Sequence, residues 1–144
     1  MVEQIDAAAL SGRLRMAMMR LVRRIKRETG GDESPSSISA LAAIARLGAP
    51  TLGELAEAEG ISRPSASAQA DTLEQRGLVR RERSPEDGRL VHLRLTGAGD
   101  RVLERSRTQR TAWLARRLRR LSATELATLD SAAVILERLL EDER

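Results

Sequence analysis

The residues of this chain that could do chemistry are mostly arginines. Of its 25 basic residues 24 are Arg and only Lys26 is Lys, and the 21 acidic residues leave a net charge of +4. The planar guanidinium group matches phosphate oxygens and the edge of guanine, so these side chains favour an anionic partner such as nucleic acid. Because a genome rich in G and C also raises the Arg content, the arginines alone do not decide the function.

Residue types for catalysis or metal binding are scarce. The chain has no Cys and a single His, His92. The absence of Cys excludes disulfides, thiolate metal sites, cysteine nucleophiles and thiol-based redox sensing. One His disfavours a histidine-rich metal site and a Ser-His-Asp hydrolase. Since the sequence also shows no nucleophile–base pair and no phosphate-binding loop, we expect no enzyme activity, no metal and no cofactor.

Length and composition limit the elements that position these groups. The chain has 144 residues, enough for one domain of ordinary size. Hydrophobic residues make up 41% of it but aromatic residues only 1%, in the single Trp113. A core of Leu, Ala, Ile, Val and Met favours helices. No apolar run is long enough to span a bilayer and no cleavable signal pattern is present, so we expect a cytoplasmic protein without a membrane partner.

Helical patterns occupy both ends of the chain. Apolar residues recur at steps of three and four across 6–28, and again in a terminal helix that begins at the capping box Ser122-Ala-Thr-Glu125. A long helix from 97 to about 120 is polar all round near its middle, as suits a strut between two lobes. We predict that 6–28 and 97–142 are the dimerisation helices of a homodimer. Six leucines of the two apolar stripes are assigned to the dimer interface: Leu10, Leu14, Leu126, Leu129, Leu136 and Leu140.

The most informative stretch is 34–96. One helix begins at Ser34-Pro35, a second at the capping box Thr51-Leu-Gly-Glu54, and a third at Ser62. The second and third helices are joined by a turn of about three residues that contains Gly60, an arrangement typical of a helix-turn-helix.

After residue 78 the hydrophobic period changes. Residues 79–83 and 90–95 alternate apolar and polar side chains on either side of Asp87-Gly88, a strong turn signal. The pattern predicts a β-hairpin with a basic, exposed tip. We expect His92 on the solvent side of this hairpin and not in a metal site.

This order of motifs resembles the MarR (multiple antibiotic resistance regulator) family of bacterial transcription factors. The resemblance covers nearly the whole chain and implies a mainly α fold with a small β-hairpin. In such a fold, 34–96 form a winged helix-turn-helix that N- and C-terminal dimerisation helices flank. The matching segments are Thr51-Leu-Gly-Glu54-Leu-Ala56, Ile61-Ser62-Arg63-Pro64-Ser65, Leu73-Glu74-Gln75-Arg76-Gly77-Leu78-Val79, Asp87-Gly88-Arg89, Leu95-Thr96 with Gly99, and Leu121-Ser122 with Glu125.

The resemblance also implies where DNA binds. The helix after Ser62 would enter the major groove, and its first two turns would carry the contact because Asp71 further along would repel phosphate. Arg89 at the wing tip would enter the minor groove, with Asp87 orienting it. The predicted DNA-contacting residues are Ser62, Arg63, Pro64, Ser65, Ser67, Gln69, Thr72, Arg83 and Arg89. Further phosphate candidates are Arg80, Arg81 and Arg94.

The function expected from these features is a sequence-specific transcriptional regulator, a homodimeric repressor on a pseudo-palindromic operator of double-stranded DNA. Release by a small-molecule effector is considered, because family members commonly bind phenolic or lipophilic ligands between their lobes. This chain offers only Trp113 for stacking on a ligand, and a core or dimer-interface position is favoured for it. Two alternatives stay open: an architectural or constitutive winged-helix DNA-binding protein without ligand control, and a helical protein-interaction module for which Arg89 would be dispensable.

Overall fold

Six helices and one hairpin make up the chain in this computed structural model, which describes residues 5–141. The mainly α architecture with a small hairpin is confirmed. No helix within this part of the chain is long and apolar enough to cross a bilayer. In chain order the elements are α1 (Ala7–Glu28), α2 (Pro35–Leu47), α3 (Leu52–Glu59), α4 (Arg63–Gln75), β1 (Val79–Arg83), β2 (Val91–Leu95), α5 (Gly97–Leu118) and α6 (Ala123–Glu141).

The chain divides into two compact units, and the division falls inside α5. The first unit ends at Arg110 and the second begins at Thr111. Helix α5 ends at Leu118, two residues before the end expected from the sequence. Residue 142, the last of the segment assigned to dimerisation, lies outside the described residues.

Capping side chains determine where the helices of the first unit begin. Ser34 and Ser62 cap α2 and α4, each hydroxyl accepting the amide three residues on, at 3.1 and 3.2 Å. At the start of α3, the Thr51 amide donates to the Glu54 carboxylate at 2.7 Å, and the Glu54 amide donates to the Thr51 hydroxyl at 3.3 Å. The Thr51 hydroxyl also donates to the Glu54 carboxylate at 3.1 Å, and the hydrogen bonds from the Thr51 amide and hydroxyl hold the pKa of the Glu54 carboxyl below its ordinary value. The capping box predicted from the sequence is therefore formed on both sides.

The core lies between α2, α3, α4 and the hairpin. Leu41 of α2, Leu55 of α3, Leu73 of α4 and Leu93 of β2 are all fully buried in one cluster. Leucines from four elements meet there. Helix α4 is therefore stabilised and positioned mainly by its packing against three neighbours.

Strands β1 and β2 pair antiparallel, with Val79 opposite Leu95. The expectation that His92 faces solvent is wrong. Its side chain is half-buried, its Nδ1 lies 2.8 Å from the carbonyl oxygen of Ala49, and its backbone forms an isolated bridge with Thr51. The segment between α2 and α3 pairs with the edge of β2 and takes up the imidazole, a contact between residues 43 positions apart that alternation within the strand does not reveal.

The first turn of α5 is anchored to the segment that leads into β1. The Thr96 hydroxyl donates to the carbonyl oxygen of Gly77 at 2.6 Å and accepts the amide of Gly99 at 3.1 Å. The Thr96 amide donates to the carbonyl oxygen of Leu78 at 3.1 Å. These hydrogen bonds fix the start of α5 against the residues that lead into β1.

Candidate nucleic-acid interface

Helix α4 presents an exposed face of small and polar side chains. Its opposite face is buried, since Ala66, Ala70 and Leu73 are each 0% exposed, as the helical period predicts. A helix whose outward side chains are mostly small can approach the floor of a DNA groove closely. The exposed residues of the helix include Arg63, Pro64, Ser65, Ala68, Asp71, Thr72 and Gln75.

Several hydroxyl groups predicted to contact DNA already have partners within α4. The Ser62 hydroxyl accepts the Ser65 amide at 3.2 Å and donates to the Ser65 hydroxyl at 2.9 Å. Thr72 donates to the carbonyl oxygen of Ala68 at 3.0 Å, and Ser67 is half-buried. Ser65 is exposed and its hydroxyl keeps its own proton to donate, so it is the serine best placed for an outside acceptor.

Arg63 lies across the first turn of α3. A Cβ added at Gly53 would be 2.7 Å from Nη2 of Arg63 and 3.3 Å from its Cζ. The guanidinium group therefore occupies the space that any other side chain at position 53 would fill. The absence of a side chain at Gly53 leaves room for this exposed positive charge beside the beginnings of α3 and α4, a relationship that no local pattern in the sequence indicates.

Gln69 is placed against α2 and not on the outward face. Its Nε2 donates to the carbonyl oxygen of Ser36 at 2.9 Å, and its Oε1 is buried without a hydrogen-bond partner. Gln69, which the sequence predicts as a DNA contact, therefore uses its amide group to hold α4 to the start of α2. A cleft of about 420 Å³ lies here, lined by Ser34, Ser36, Ser37, Ile61, Ser65, Ala68, Gln69 and Thr72.

The outward carboxylate of α4 is paired. Nη2 of Arg81, on β1, lies 2.7 Å from Oδ1 of Asp71, and its Nη1 lies 3.3 Å from Oε1 of Glu74. The sequence predicts that Asp71 repels phosphate, and the structure adds that an arginine 10 positions along the chain pairs with this carboxylate. For the same reason Arg81 is not a free phosphate ligand.

The outer face of the hairpin carries a second ionic group. Glu82 lies between Arg80, at 2.8 Å, and Arg94, at 2.5 Å. Partial desolvation opposes ionisation of Glu82, but the hydrogen bond from Arg94 and the charge of Arg80 together lower its pKa. Both arginines, which were phosphate candidates, are therefore engaged within the wing.

The wing tip is organised by local hydrogen bonds. The Ser84 hydroxyl accepts the amides of Glu86 and Asp87, both at 3.3 Å. The Asp87 carboxylate accepts the backbone amide of Arg89 at 3.0 Å. Within the described residues no ion pair joins Asp87 to the Arg89 guanidinium group, so the contact between these two residues is to the backbone of Arg89.

The two arginines of the tip differ in their contacts. The side chain of Arg89 is exposed. Arg83 is also exposed, but its Nη1 donates across the hairpin to the carbonyl oxygen of Gly88 at 3.4 Å. Arg89 is thus the arginine that the turn presents outward.

The end of α4 is tied to the segment before α2. Arg76 donates to Glu33 through Nη1 and Nη2, with 2.6 Å between Nη1 and Oε2. The hydrogen bonds to Glu33 raise the pKa of Arg76. These residues lie 43 positions apart, so no local pattern in the sequence predicts the pair.

Glu33 also lines a cavity of about 160 Å³ together with α5 residues from Val102 to Gln109.

Trp113, the one aromatic residue, is buried, with 4% of its surface exposed. The guanidinium carbon of Arg117 lies 3.3 Å from the centroid of its ring. Since a cation covers one ring face and the side chain is buried, the tryptophan does not offer an open surface for stacking a ligand.

The fold and this interface define a winged helix-turn-helix protein. Residues 34–91 match the MarR family. An uncharacterised HTH-type transcriptional regulator of Mycobacterium bovis is 35% identical to this chain over 136 residues, which cover 94% of this chain and 95% of that protein. The chain therefore belongs to the MarR family of DNA-binding transcriptional regulators, which are not enzymes.

Other relatives are similar over different lengths. The HTH-type transcriptional repressor MdtR of Bacillus subtilis is 31% identical over 93 residues, which cover 65% of this chain and 60% of MdtR. A candidate transcriptional regulator from Pseudomonas aeruginosa has a solved structure with a TM-score of 0.79, at 34% identity and with 92% and 94% of the two chains covered. FabT of Streptococcus pneumoniae, solved in complex with DNA, shares the fold alone, with a TM-score of 0.65, 22% identity and 96% and 100% coverage.

Proposed function

We propose that this regulator is a homodimeric repressor that binds a pseudo-palindromic operator through α4 and the wing. The observation that carries the proposal is the combination of a small, exposed face on α4 with an outward Arg89 on the same lobe. A helix of this shape fits the major groove, and an arginine on a hairpin tip reaches a neighbouring minor groove, where the negative potential is concentrated. We assign 34–96 to DNA binding, and 6–28 and 97–142 to dimerisation.

The proposed contacts retain most of the residues expected from the sequence. Arg63 and Arg89 would neutralise phosphate or read a groove, and Ser65 would donate a hydrogen bond. Ser62 contributes through the start of the helix that it caps, and Asp87 through the backbone of Arg89. Gln69 is left out because its amide is engaged with α2. The remaining proposed contacts are Pro64, Ser67, Thr72 and Arg83.

A second copy of the chain would cover apolar surface on the terminal helices. Neither α1 nor α6 has a single buried residue in the single chain. Leucines expected at a dimer interface are exposed, Leu10 by 41%, Leu129 by 47% and Leu140 by 79%. Leu126 is exposed as well, whereas Leu14 and Leu136 are half-buried. Apolar surface of this extent marks an interaction site, and a two-fold dimer would place two copies of α4 about one helical turn of DNA apart.

Repression, and not activation, is proposed because the relative MdtR is a transcriptional repressor. An effector is supported less by the geometry. The partly enclosed cavity beside Glu33 holds about 160 Å³, below the roughly 300 to 1,000 Å³ of typical ligand sites, and the cleft of about 420 Å³ beside Gln69 is a wide, open one. The observations therefore favour operator binding as the basic activity, with ligand release as an addition to it.

The test first identifies the operator and then measures the affinity of the protein for it. The full-length protein is incubated with fragments of its own genome, and the enriched fragments are titrated beside random DNA at one salt concentration. We expect roughly 10³-fold or tighter binding to the operator than to random DNA. Similar affinity for both would support the architectural alternative, and no binding to either would support the protein-interaction module.

The dimer is tested by light scattering, which should report about twice the mass of the 15.8 kDa chain. Leu129→Asp should yield a folded monomer, because only a partner would bury that exposed side chain, and a buried unpaired carboxylate is costly. Ser131→Asp, about 200° further round the same helix, is the matched control and should remain dimeric. A dimer that survives Leu129→Asp would contradict this placement of the interface.

A further inference from the structure

Arg81 connects the wing to the helix proposed to read DNA. Its guanidinium group divides its nitrogens between two carboxylates, with Nη2 at 2.7 Å from Asp71 and Nη1 at 3.3 Å from Glu74. Asp71 and Glu74 lie three residues apart and so share one side of α4. One arginine thus meets both of the acidic side chains that this side of the helix presents.

The surroundings of Arg81 hold it in this position. On β1 it lies on the same face as the buried Val79, and it pairs in register with the buried Leu93. Its side chain is 28% exposed, less than Asp71 at 52% or Glu74 at 42%. The acidic Glu82 is on the opposite face of the strand and is occupied by Arg80 and Arg94. Among the residues of the two strands Arg81 therefore has no competing carboxylate on its own face.

The charges of Asp71 and Glu74 affect the affinity for DNA because DNA is a polyanion. Two uncompensated carboxylates on a groove-facing helix would raise the free energy of the complex through repulsion of phosphate, at an energy that falls with added salt. Pairing with an arginine removes this repulsion while the carboxylates stay exposed. The same two contacts join β1 to α4, so they also affect where the wing tip points relative to the helix.

We propose that Arg81 is a positioning residue for DNA binding, which cancels the negative charge of Asp71 and Glu74 and holds β1 of the wing to α4. The proposal rests on the proposed roles of α4 and the wing in contacting DNA. It assigns Arg81 no direct contact with the operator. Much of the operator affinity that is lost on replacing Arg81 should therefore be lost through repulsion of phosphate by the two carboxylates that remain unpaired.

The experiment is a double-mutant cycle that neutralises these charges and measures operator affinity. The enriched operator fragment is titrated at several salt concentrations with the full-length parent, Arg81→Gln, Asp71→Asn and the double variant, and each protein is also melted. We expect Arg81→Gln to weaken binding about tenfold, and Asp71→Asn alone to bind at least as tightly as the parent. The double variant should recover part of the affinity, because Asp71 no longer repels phosphate, whereas Glu74 stays uncompensated and the contact of Arg81 with α4 is lost. Arg107→Gln, which removes a positive charge from the exposed side of α5, is the charge-matched control and should change affinity by less than about threefold.

The outcomes separate this proposal from the proposed function. A parent without operator affinity would overturn both. A parent that binds, together with an Arg81→Gln variant that binds equally well or a double variant no tighter than Arg81→Gln, would overturn only the role of Arg81. A purely structural role would lower the melting temperature of the double variant at least as far as that of the single variant and give no recovery. If Arg81→Gln fails to fold, Asp71→Asn with Glu74→Gln tests the same charges, and a loss of affinity beyond about threefold would overturn the proposal.

Discussion

The α-carbon of Gly99 lies directly against the carbonyl group of Leu78. A Cβ at position 99 would overlap the carbonyl oxygen of Leu78 and lie 3.0 Å from its carbonyl carbon. The obstacle is backbone, and that backbone is fixed because the Leu78 carbonyl also accepts the amide of Thr96. Gly99 thus permits the close approach that joins α5 to the base of the wing.

Gly99→Ala should therefore destabilise the fold by roughly 1–3 kcal/mol, the range for overpacking a site that cannot relax. Gly12→Ala is the matched control, since position 12 lies in α1 with nothing within 4 Å of an added Cβ, and helix propensity should stabilise it by about 0.5–1 kcal/mol. Thermal or urea unfolding measures both. Equal stabilisation by the two substitutions would show that the junction tolerates a side chain.

Gly53→Ala should weaken operator binding without lowering stability. The added methyl group displaces the Arg63 guanidinium from α3, while alanine is the better helix former. Arg63→Ala should cost about 1–3 kcal/mol of binding free energy, as for one good DNA-contacting arginine. In the Arg63→Ala background Gly53→Ala should have no further effect, because its target is gone. Additive losses in an anisotropy titration would mean that Gly53 acts by another route.

Arg89→Ala should leave the melting temperature nearly unchanged and weaken operator binding by roughly 1–3 kcal/mol. The slope of affinity against salt should fall by about one unit for each wing engaged. Asp87→Ala should cause a smaller loss, since Asp87 binds the backbone amide of Arg89 and not its guanidinium group. Arg107→Ala controls for the loss of one positive charge. Unchanged affinity and slope for Arg89→Ala would show that the wing tip does not contact the operator.

The capping box at Glu54 should make part of the stability depend on pH. Its folded-state pKa is lowered by the hydrogen bonds from Thr51, so its contribution is complete above the ordinary glutamate pKa of about 4.3. That contribution is lost as the pH falls through the lowered folded value. The stability difference between the parent and Glu54→Gln should therefore be largest near neutral pH and shrink at about pH 3 in urea unfolding. A difference that stays constant over this range would show that ionisation of Glu54 does not support the helix.

The sequence by itself determined the features whose causes lie within a few residues. The capping residues Ser34, Thr51 and Ser62 begin their helices where predicted, and the spacing of Ala66, Ala70 and Leu73 identifies the buried face of α4. The hairpin follows from alternation around a turn. Such signals act between near neighbours, and in this chain they were enough for the fold class and for the family.

Only the tertiary structure decided which partner each polar side chain has. His92 contacts Ala49 and Arg76 binds Glu33 across 43 positions, and Gln69 reaches Ser36 across 33. An arginine, a glutamine or a histidine looks the same in sequence whether it faces DNA, a carboxylate or a carbonyl group. Its partner depends on which elements the core brings together, because hydrogen bonds and ion pairs form between groups a few ångströms apart in space, whatever their separation along the chain.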